Sequence, residues 1–215
     1  MPLRILIADD HTVVRDGLRA ALEQQPDLRV VAEACDGREC VRLAEEHSPD
    51  VVIMDIAMPN MNGMEATRRI VASNPRIGVV VLSMHQDESY VLGALKAGAK
   101  AYILKDSART DVIDAVRATA RGESYLTRKI SRMLQEDHVL DMQSRGVGDS
   151  YDMLTDRERE VLQMVAEGKA NKEVAALLHI SLTTVETHRA HILQKLGLHS
   201  VPELILYAMR RGIIS

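Results

Sequence analysis

The chain has 215 residues, 46% of them hydrophobic and 27% charged, with a formal net charge of -4. That balance describes a globular chain of one large or two modest domains, with two expected, and its acidity gives no general attraction to nucleic acid or anionic lipid. No apolar stretch approaches a bilayer span and the start MPLRILIADD lacks a charged-then-apolar leader, so the expected place is the cytoplasm, with no membrane partner.

From residue 1 to about 121, short β-branched runs alternate with helix-period segments. The strand candidates are residues 4–8, 28–33, 50–54, 77–83 and 100–104. Between them lie helix patterns such as Val14, Leu18, Ala21 and Leu22, and later Val112, Ile113, Val116 and Ala120. This alternation predicts an α/β domain, a parallel sheet of five strands with five helices on its two faces. Cys35 and Cys40 sit five apart outside any C-x-x-C pattern and read as packing residues. Residues 122–150 change character: a helical pattern gives way to Gly146, Gly148 and Ser150 among charges of both signs, which reads as a partly helical linker. Residues 151–215 carry four helix patterns and no strand candidate, which predicts a small all-helical domain.

In an open parallel sheet the carboxyl ends of the strands share one edge, and ligands bind there. Asp9 and Asp10 end the first strand, Asp55 the third and Ser83 the fourth, and Lys105 follows the fifth. Carboxylates crowded together repel unless a cation joins them, and a hard oxygen-only site suits Mg²⁺. A lysine and a hydroxyl facing that cation make a cradle for phosphoryl oxygens. The pattern therefore points to a phosphoryl group carried on Asp55. Each residue alone has a plainer reading as a loop starter, a solvated turn or a surface lysine. Five in register on four strand ends outweigh it.

This ordered set, Asp9-Asp10, Asp55-x-x-Met58-Pro59 with Gly63, Ser83, Gly98-Ala99 and Tyr102-x-x-Lys105, resembles the receiver domain of bacterial two-component response regulators over the whole first domain. The resemblance implies that Asp55 is the phosphoacceptor, attacking a phosphohistidine on a sensor histidine kinase. It implies Mg²⁺ held by Asp10, Asp55 and the backbone carbonyl of Ala57, with Asp9 acting through the metal's waters. Lys105 then neutralises the transferred group, and Ser83 swings toward it as Tyr102 turns inward. Tyr102 also has a plain packing reading on an apolar strand. His85, two past Ser83, is a surface residue or a modulator of acyl-phosphate lifetime. Many receivers follow the lysine with a cis proline. Here Asp106 follows, where a cis bond costs about 3 kcal/mol, and the isomer stays open.

In the second domain, Thr155 and Glu158 form a capping-box pattern ahead of Val161, Leu162 and Val165, and Gly168 ends that helix. A short helix over residues 172–178 turns through His179 and Ile180, and Ser181 caps a helix running to Leu196 before Gly197. Ala175, Ile180, Val185 and Ile192 are spaced to pack a helix-turn-helix. This is similar to the LuxR-type DNA-binding domain, and behind a receiver it resembles the NarL/FixJ class of response regulators. The likeness implies a recognition helix with Glu186, Thr187, Ala190 and His191 near base edges. Lys172, Thr183, Thr184, Arg189 and Lys195 then lie near phosphates. Residues 151–215 hold eight Lys plus Arg against eight Asp plus Glu, so binding per monomer is expected to be weak. Relatives commonly carry Lys where Glu186 stands, so the site sequence is expected to differ from theirs. The last helix pairs two domains in that family, implying a homodimer on a pseudo-palindrome through Val201, Leu204, Ile205 and Ala208. Its alternative role is to complete the core.

The resulting expectation is a cytoplasmic, phosphorylation-switched transcription regulator, not a turnover enzyme, with residues 1–121 as receiver, 122–150 as linker and 151–215 as DNA-binding domain. Phosphorylation is expected to alter the surface of the fourth and fifth receiver helices and so free the recognition helix. Two other readings compete. One is a receiver whose helical tail binds protein, and the other is a Mg²⁺-dependent aspartyl-phosphate phosphohydrolase. Such hydrolases place a D-x-D pattern on the first strand, which Asp9-Asp10 does not match.

Overall fold

The computed structural model describes residues 1–106, 108–127, 130–131 and 150–214. The chain divides into two compact units, residues 1–141 and 142–215.

The first unit runs β1 (Leu3–Ala8), α1 (Thr12–Glu23), β2 (Leu28–Ala34), α2 (Gly37–His47), β3 (Val51–Asp55), α3 (Gly63–Ser73), β4 (Gly78–Ser83), α4 (Glu88–Lys96), β5 (Ala101–Leu104), α5 (Ala108–Ala120) and β6 (Tyr125–Leu126). All pairings are parallel, in the order β2-β1-β3-β4-β5-β6. The expected five strands form the body of the sheet. The sixth is a two-residue edge that pairs Tyr125 and Leu126 with Ala101 and Tyr102, too short to show a period in the sequence. With the buried Ile130 it draws part of the stretch read as linker into the first unit. The helix expected further along that stretch falls outside the described residues.

Alternation along each strand feeds two separate cores. Leu6, Val52, Met54, Val81 and Tyr102 pack with Leu43 of α2, Ile70 of α3 and Val91 of α4. Their neighbours Ile5, Ile7, Ile53, Leu82 and Ile103 pack with Leu18 and Leu22 of α1 and Val112 and Val116 of α5. A sheet buried on both faces needs such unbroken apolar runs. Cys40 belongs to the first core, whereas Cys35 is exposed, so only one of the two cysteines is a packing residue.

Because β1 is flanked by β2 on one side and β3 on the other, the loops after β1 and β3 leave a crevice at the carboxyl edge. The β3–α3 loop is held tightly there. Gly63 N donates to Ile56 O at 2.9 Å, and a Cβ on Gly63 would lie 1.9 Å from the backbone oxygen of Asp55. Farther along, Asn60 donates through its amide to Asp36 Oδ2 at 2.9 Å, and Gly37 N donates to Met61 O at 3.2 Å. Asp36 also caps α2 through Glu39 N, so one carboxylate ties two loops together.

Among the described residues, the second unit begins with a single 3₁₀ turn (Ser150–Met153), followed by α6 (Asp156–Ala166), α7 (Asn171–Leu178), α8 (Leu182–Leu196) and α9 (Val201–Arg210). Thr155 and Glu158 make the expected capping box on α6. His179, at φ 53°, ends α7, and Ser181 caps α8 by accepting from Thr184 N. Two helices joined by this short turn form the helix-turn-helix. Its core gathers Leu162, Val174, Leu178, Val185 and Ile192 with Leu204, Ala208 and Ile213.

Candidate functional site

At the carboxyl edge of the sheet, Lys105 Nζ lies 2.7 Å from Asp9 Oδ2 and 2.9 Å from Asp55 Oδ2. Both carboxylates are almost wholly buried, at 1% and 3% exposure. Burial pushes the Asp55 carboxyl up; Lys105 opposes this, Asp9 and Asp10 add to it, and the net direction is upward. Burial pushes Lys105 down, but its bond to Asp9 and the charge of Asp55 outweigh that, and its ammonium is held above the ordinary lysine range. One lysine therefore serves two buried carboxylates, and Asp10 adds a third at the rim. The site carries excess negative charge that a cation relieves.

Donor atoms of Asp9, Asp10, His11 and Asp55 all lie within 4.8 Å of one another. Carboxylate oxygens are hard ligands, so this donor set can hold a divalent metal. His11 did not figure among the expected site residues. Its signal was its place directly after the acidic pair, and it stands with its Nδ1 2.7 Å from Asp10 Oδ1 and 3.2 Å from Asp9 Oδ1. Ala57 lies in the β3–α3 loop, half-buried.

Ser83 ends β4, one position beyond the register partner of Asp55, and is buried. Its Oγ accepts from His85 N at 3.0 Å. Tyr102 is fully buried, so its ring is turned inward, and its hydroxyl donates to the carbonyl of His85 at 2.9 Å. Burial pushes that phenol up to about 12, so Tyr102 acts only as a neutral donor and acceptor at ordinary pH. The His85 ring in turn stacks on Tyr90 of α4, centroids 3.9 Å apart. His85 is thus tied to Ser83, Tyr102 and Tyr90. The peptide joining Lys105 and Asp106 is trans, as are all peptides among the described residues.

In the second unit, Thr183, Glu186, Thr187, Ala190 and His191 are exposed on α8, while Val185 and Ile192 face the core. Lys172 is exposed on α7. Arg189 donates to Asn171 Oδ1 at 2.7 Å, and it lines a groove of about 560 Å³ with Lys172, Leu182 and Glu186. The Thr184 hydroxyl lies 2.7 Å from that of Ser181, so it serves the cap. Lys195 is partly exposed and makes a contact within its own domain. Its Nζ lies 2.6 Å from Glu158 Oε2, which pins the end of α8 to the start of α6. On α9, Leu204 and Ala208 are 1% and 0% exposed within their own domain's core, so neither offers a free surface for pairing. Burial won because both lie on the stripe of α9 that closes the helical core. Val201 and Ile205 are half-buried beside that stripe, and the apolar surface continues outward through Leu206 and Met209, at 53% and 50% exposure.

A doubly covered parallel sheet with an acidic, lysine-bridged carboxyl edge, followed by a four-helix unit with an exposed recognition face, defines a receiver joined to a DNA-binding helix-turn-helix. Known proteins bear this out. Residues 5–117 match the response regulator receiver domain, and residues 152–208 match the luxR family of bacterial regulatory proteins. The chain is 41% identical to the oxygen regulatory protein NreC of Staphylococcus carnosus (strain TM300), with 99% of each covered. It is similar to the crystal structure of a LuxR-family two-component response regulator from Aurantimonas sp. SI85-9A1 (36% identity, TM-score 0.62, 65% of this chain and 99% of that one). It is also similar to the response regulator RcsB in its DNA complex (27% identity, TM-score 0.60, 97% and 98% covered). The chain belongs to the LuxR-type response regulators of the NarL/FixJ class, DNA-binding regulators of transcription. No helix among the described residues is long and apolar enough to cross a membrane.

Proposed function

We propose that Asp55 is the phosphoacceptor and that its phosphorylation by a sensor histidine kinase switches sequence-specific DNA binding. The observation that carries this reading is the bridging of Asp9 and Asp55 by Lys105 at the carboxyl edge of the sheet. In the transfer, an Asp55 carboxylate oxygen attacks the phosphorus of a phosphohistidine. The P–N bond breaks, its electron pair goes to the imidazole, and that ring takes up a proton. Lys105 is within reach to exchange its contact with Asp55 for one with a phosphoryl oxygen. Mg²⁺, held by Asp10, Asp55 and the Ala57 carbonyl with Asp9 acting through its waters, supplies charge neutralisation for the transferred oxygens. Ser83 and Tyr102 form the switch, with His85 linking them to α4. The acyl phosphate is then lost by hydrolysis, so the protein accepts one group at a time and is no turnover enzyme.

Residues 1–121, extended by β6 and Ile130, act as the receiver, the remainder of 122–150 as a linker and 151–215 as the reader of DNA, all in the cytoplasm. Glu186, Thr187, Ala190 and His191 meet base edges, and Lys172, Thr183, Thr184, Arg189 and Lys195 meet phosphates. Weak binding by one neutral domain is offset by pairing two copies on a pseudo-palindromic site, through the outward apolar residues of α9. Selection from a random duplex library tests the whole, comparing protein alone with protein plus Mg²⁺ and beryllofluoride, the mimic of a phosphoryl group on Asp55. One pseudo-palindrome enriched only with beryllofluoride is the expected result, and Asp55→Ala removes that difference. Equal enrichment in both samples refutes the switch.

A further inference from the structure

We propose that Asp36, on the loop between β2 and α2, is a positioning residue for phosphoryl chemistry at Asp55, acting by holding the tip of the β3–α3 loop through Asn60. This role rests on the reading of Asp55 as phosphoacceptor and falls to a residue of a different βα unit.

The β3–α3 loop is fixed at its base and at its tip. At the base, Ile56 O accepts from Met58 N at 3.1 Å and from Gly63 N at 2.9 Å, and these bonds are local. The tip is fixed from outside. Asn60 stands at φ 66°, a left-handed conformation that asparagine tolerates, and its amide meets Asp36 Oδ2 at 2.9 Å. One residue further on, Met61 O accepts from Gly37 N at 3.2 Å, so close that a Cβ on Gly37 would lie 2.4 Å from that oxygen. In the sheet β1 separates β2 from β3, so the two loops meet across the end of the strand that leads to Asp9. The stretch held in this way begins directly after Asp55 and contains Ala57.

The Asp36 carboxylate has two duties and one oxygen for each. Oδ1 accepts from Glu39 N at 2.8 Å and caps α2, while Oδ2 accepts from Asn60. An asparagine offers a single side-chain acceptor oxygen beside a donor nitrogen, so Asp36→Asn keeps the cap and turns an amide nitrogen on that of Asn60. Two donors then face each other, and the loop tip is released. Adding Asn60→Asp gives that nitrogen an acceptor, restores the bond in reverse and leaves the net charge unchanged. A released tip leaves only part of the population in the shape that receives a phosphoryl group, and apparent affinity falls by that fraction.

The test is calorimetric titration of the full chain with beryllofluoride in the presence of Mg²⁺, with melting temperatures recorded before ligand is added. Asp36→Asn is expected to bind about fivefold more weakly than wild type, the contribution of one ordinary hydrogen bond, and the double variant Asp36→Asn/Asn60→Asp to return to within about twofold. Leu43→Ala removes core packing from α2 and none of these hydrogen bonds, so it should lower the melting temperature and leave the affinity within about twofold of wild type. Equal affinity in Asp36→Asn and wild type overturns the proposal. So does equal weakening of the single and double variants, or an affinity that follows melting temperature in Leu43→Ala. If wild type binds no more tightly than Asp55→Ala, the phosphoacceptor reading itself falls, and the role of Asp36 with it.

Discussion

Gly63 begins α3 and touches the strand that presents Asp55, so Gly63→Ala should damage stability and phosphoacceptor together. The added Cβ would lie 1.9 Å from the Asp55 backbone oxygen and 2.9 Å from Met54 Cγ. Comfortable contact is about 3.5 Å, so the loop and the strand end must part by about 1.5 Å. Neither partner is a flexible tip. One is backbone at the end of a central strand, and the other is a side chain in the packed core. The cost should therefore reach about 3 kcal/mol, the upper end for overpacking, which lowers the receiver's melting temperature by about 10 °C. Calorimetry of the full chain measures this, the receiver transition being the one that beryllofluoride with Mg²⁺ moves upward. Gly17→Ala is the control. A Cβ there meets nothing within 4 Å, so relief of a mid-helix glycine in α1 should raise stability by about 0.5–1 kcal/mol. Because the displaced atom is the carbonyl of Asp55 itself, Gly63→Ala should also weaken beryllofluoride binding more than about tenfold. A loss below about 1 kcal/mol with unchanged beryllofluoride affinity would refute the close-approach argument.

Asp55→Asn should raise the melting temperature of the metal-free receiver at neutral pH. The folded carboxyl sits above its ordinary value, so the native state favours the protonated form. Its penalty is absent below the unfolded pKa and complete once pH exceeds the folded one, so the advantage of Asn should vanish in acid and shrink when Mg²⁺ is added. Glu158 behaves oppositely. Burial pushes it up, but bonds from Lys195 and Thr155 prevail and hold it below the usual range. Its stabilisation of the helical domain is present at neutral pH and lost as pH falls through that low value; Lys195→Met should flatten this dependence and cost about 1 kcal/mol, solvent screening a lysine that is 34% exposed. Glu186→Lys should tighten non-specific duplex binding and steepen its dependence on log salt by about one to two, because an exposed like charge is replaced by a phosphate partner. A salt slope equal to wild type would place residue 186 off the DNA.

The central strands were legible because β3, β4 and β5 bury both faces. Val51, Val52, Ile53 and Met54 alternate between two cores, and no exposed position interrupts the run. Helix starts were legible wherever capping chemistry is local, as at Thr155 and Ser181. The features that escaped the sequence share a different cause, since each depends on a partner far away in the chain. Lys195 looks like a surface cation until Glu158, 37 positions earlier, is brought beside it. Leu204 and Ala208 belong to an apolar stripe wider than one face requires, and periodicity cannot say which part meets the core and which meets solvent. Tyr125 and Leu126 form a strand only because β5 leaves an unpaired edge. His11 carries no apolar or capping signal, and only the fold brings Asp55 to within reach of it.

The recognition helix separates two tasks by face. Val185 and Ile192 hold it in place, and Ser181 and Lys195 anchor its ends, while Thr183, Glu186, Thr187 and Ala190 support no packing. Exchanges at those four positions therefore carry almost no folding penalty, so under the proposed assignment of this face to base and phosphate contacts the operator preference can change while the scaffold stays the same.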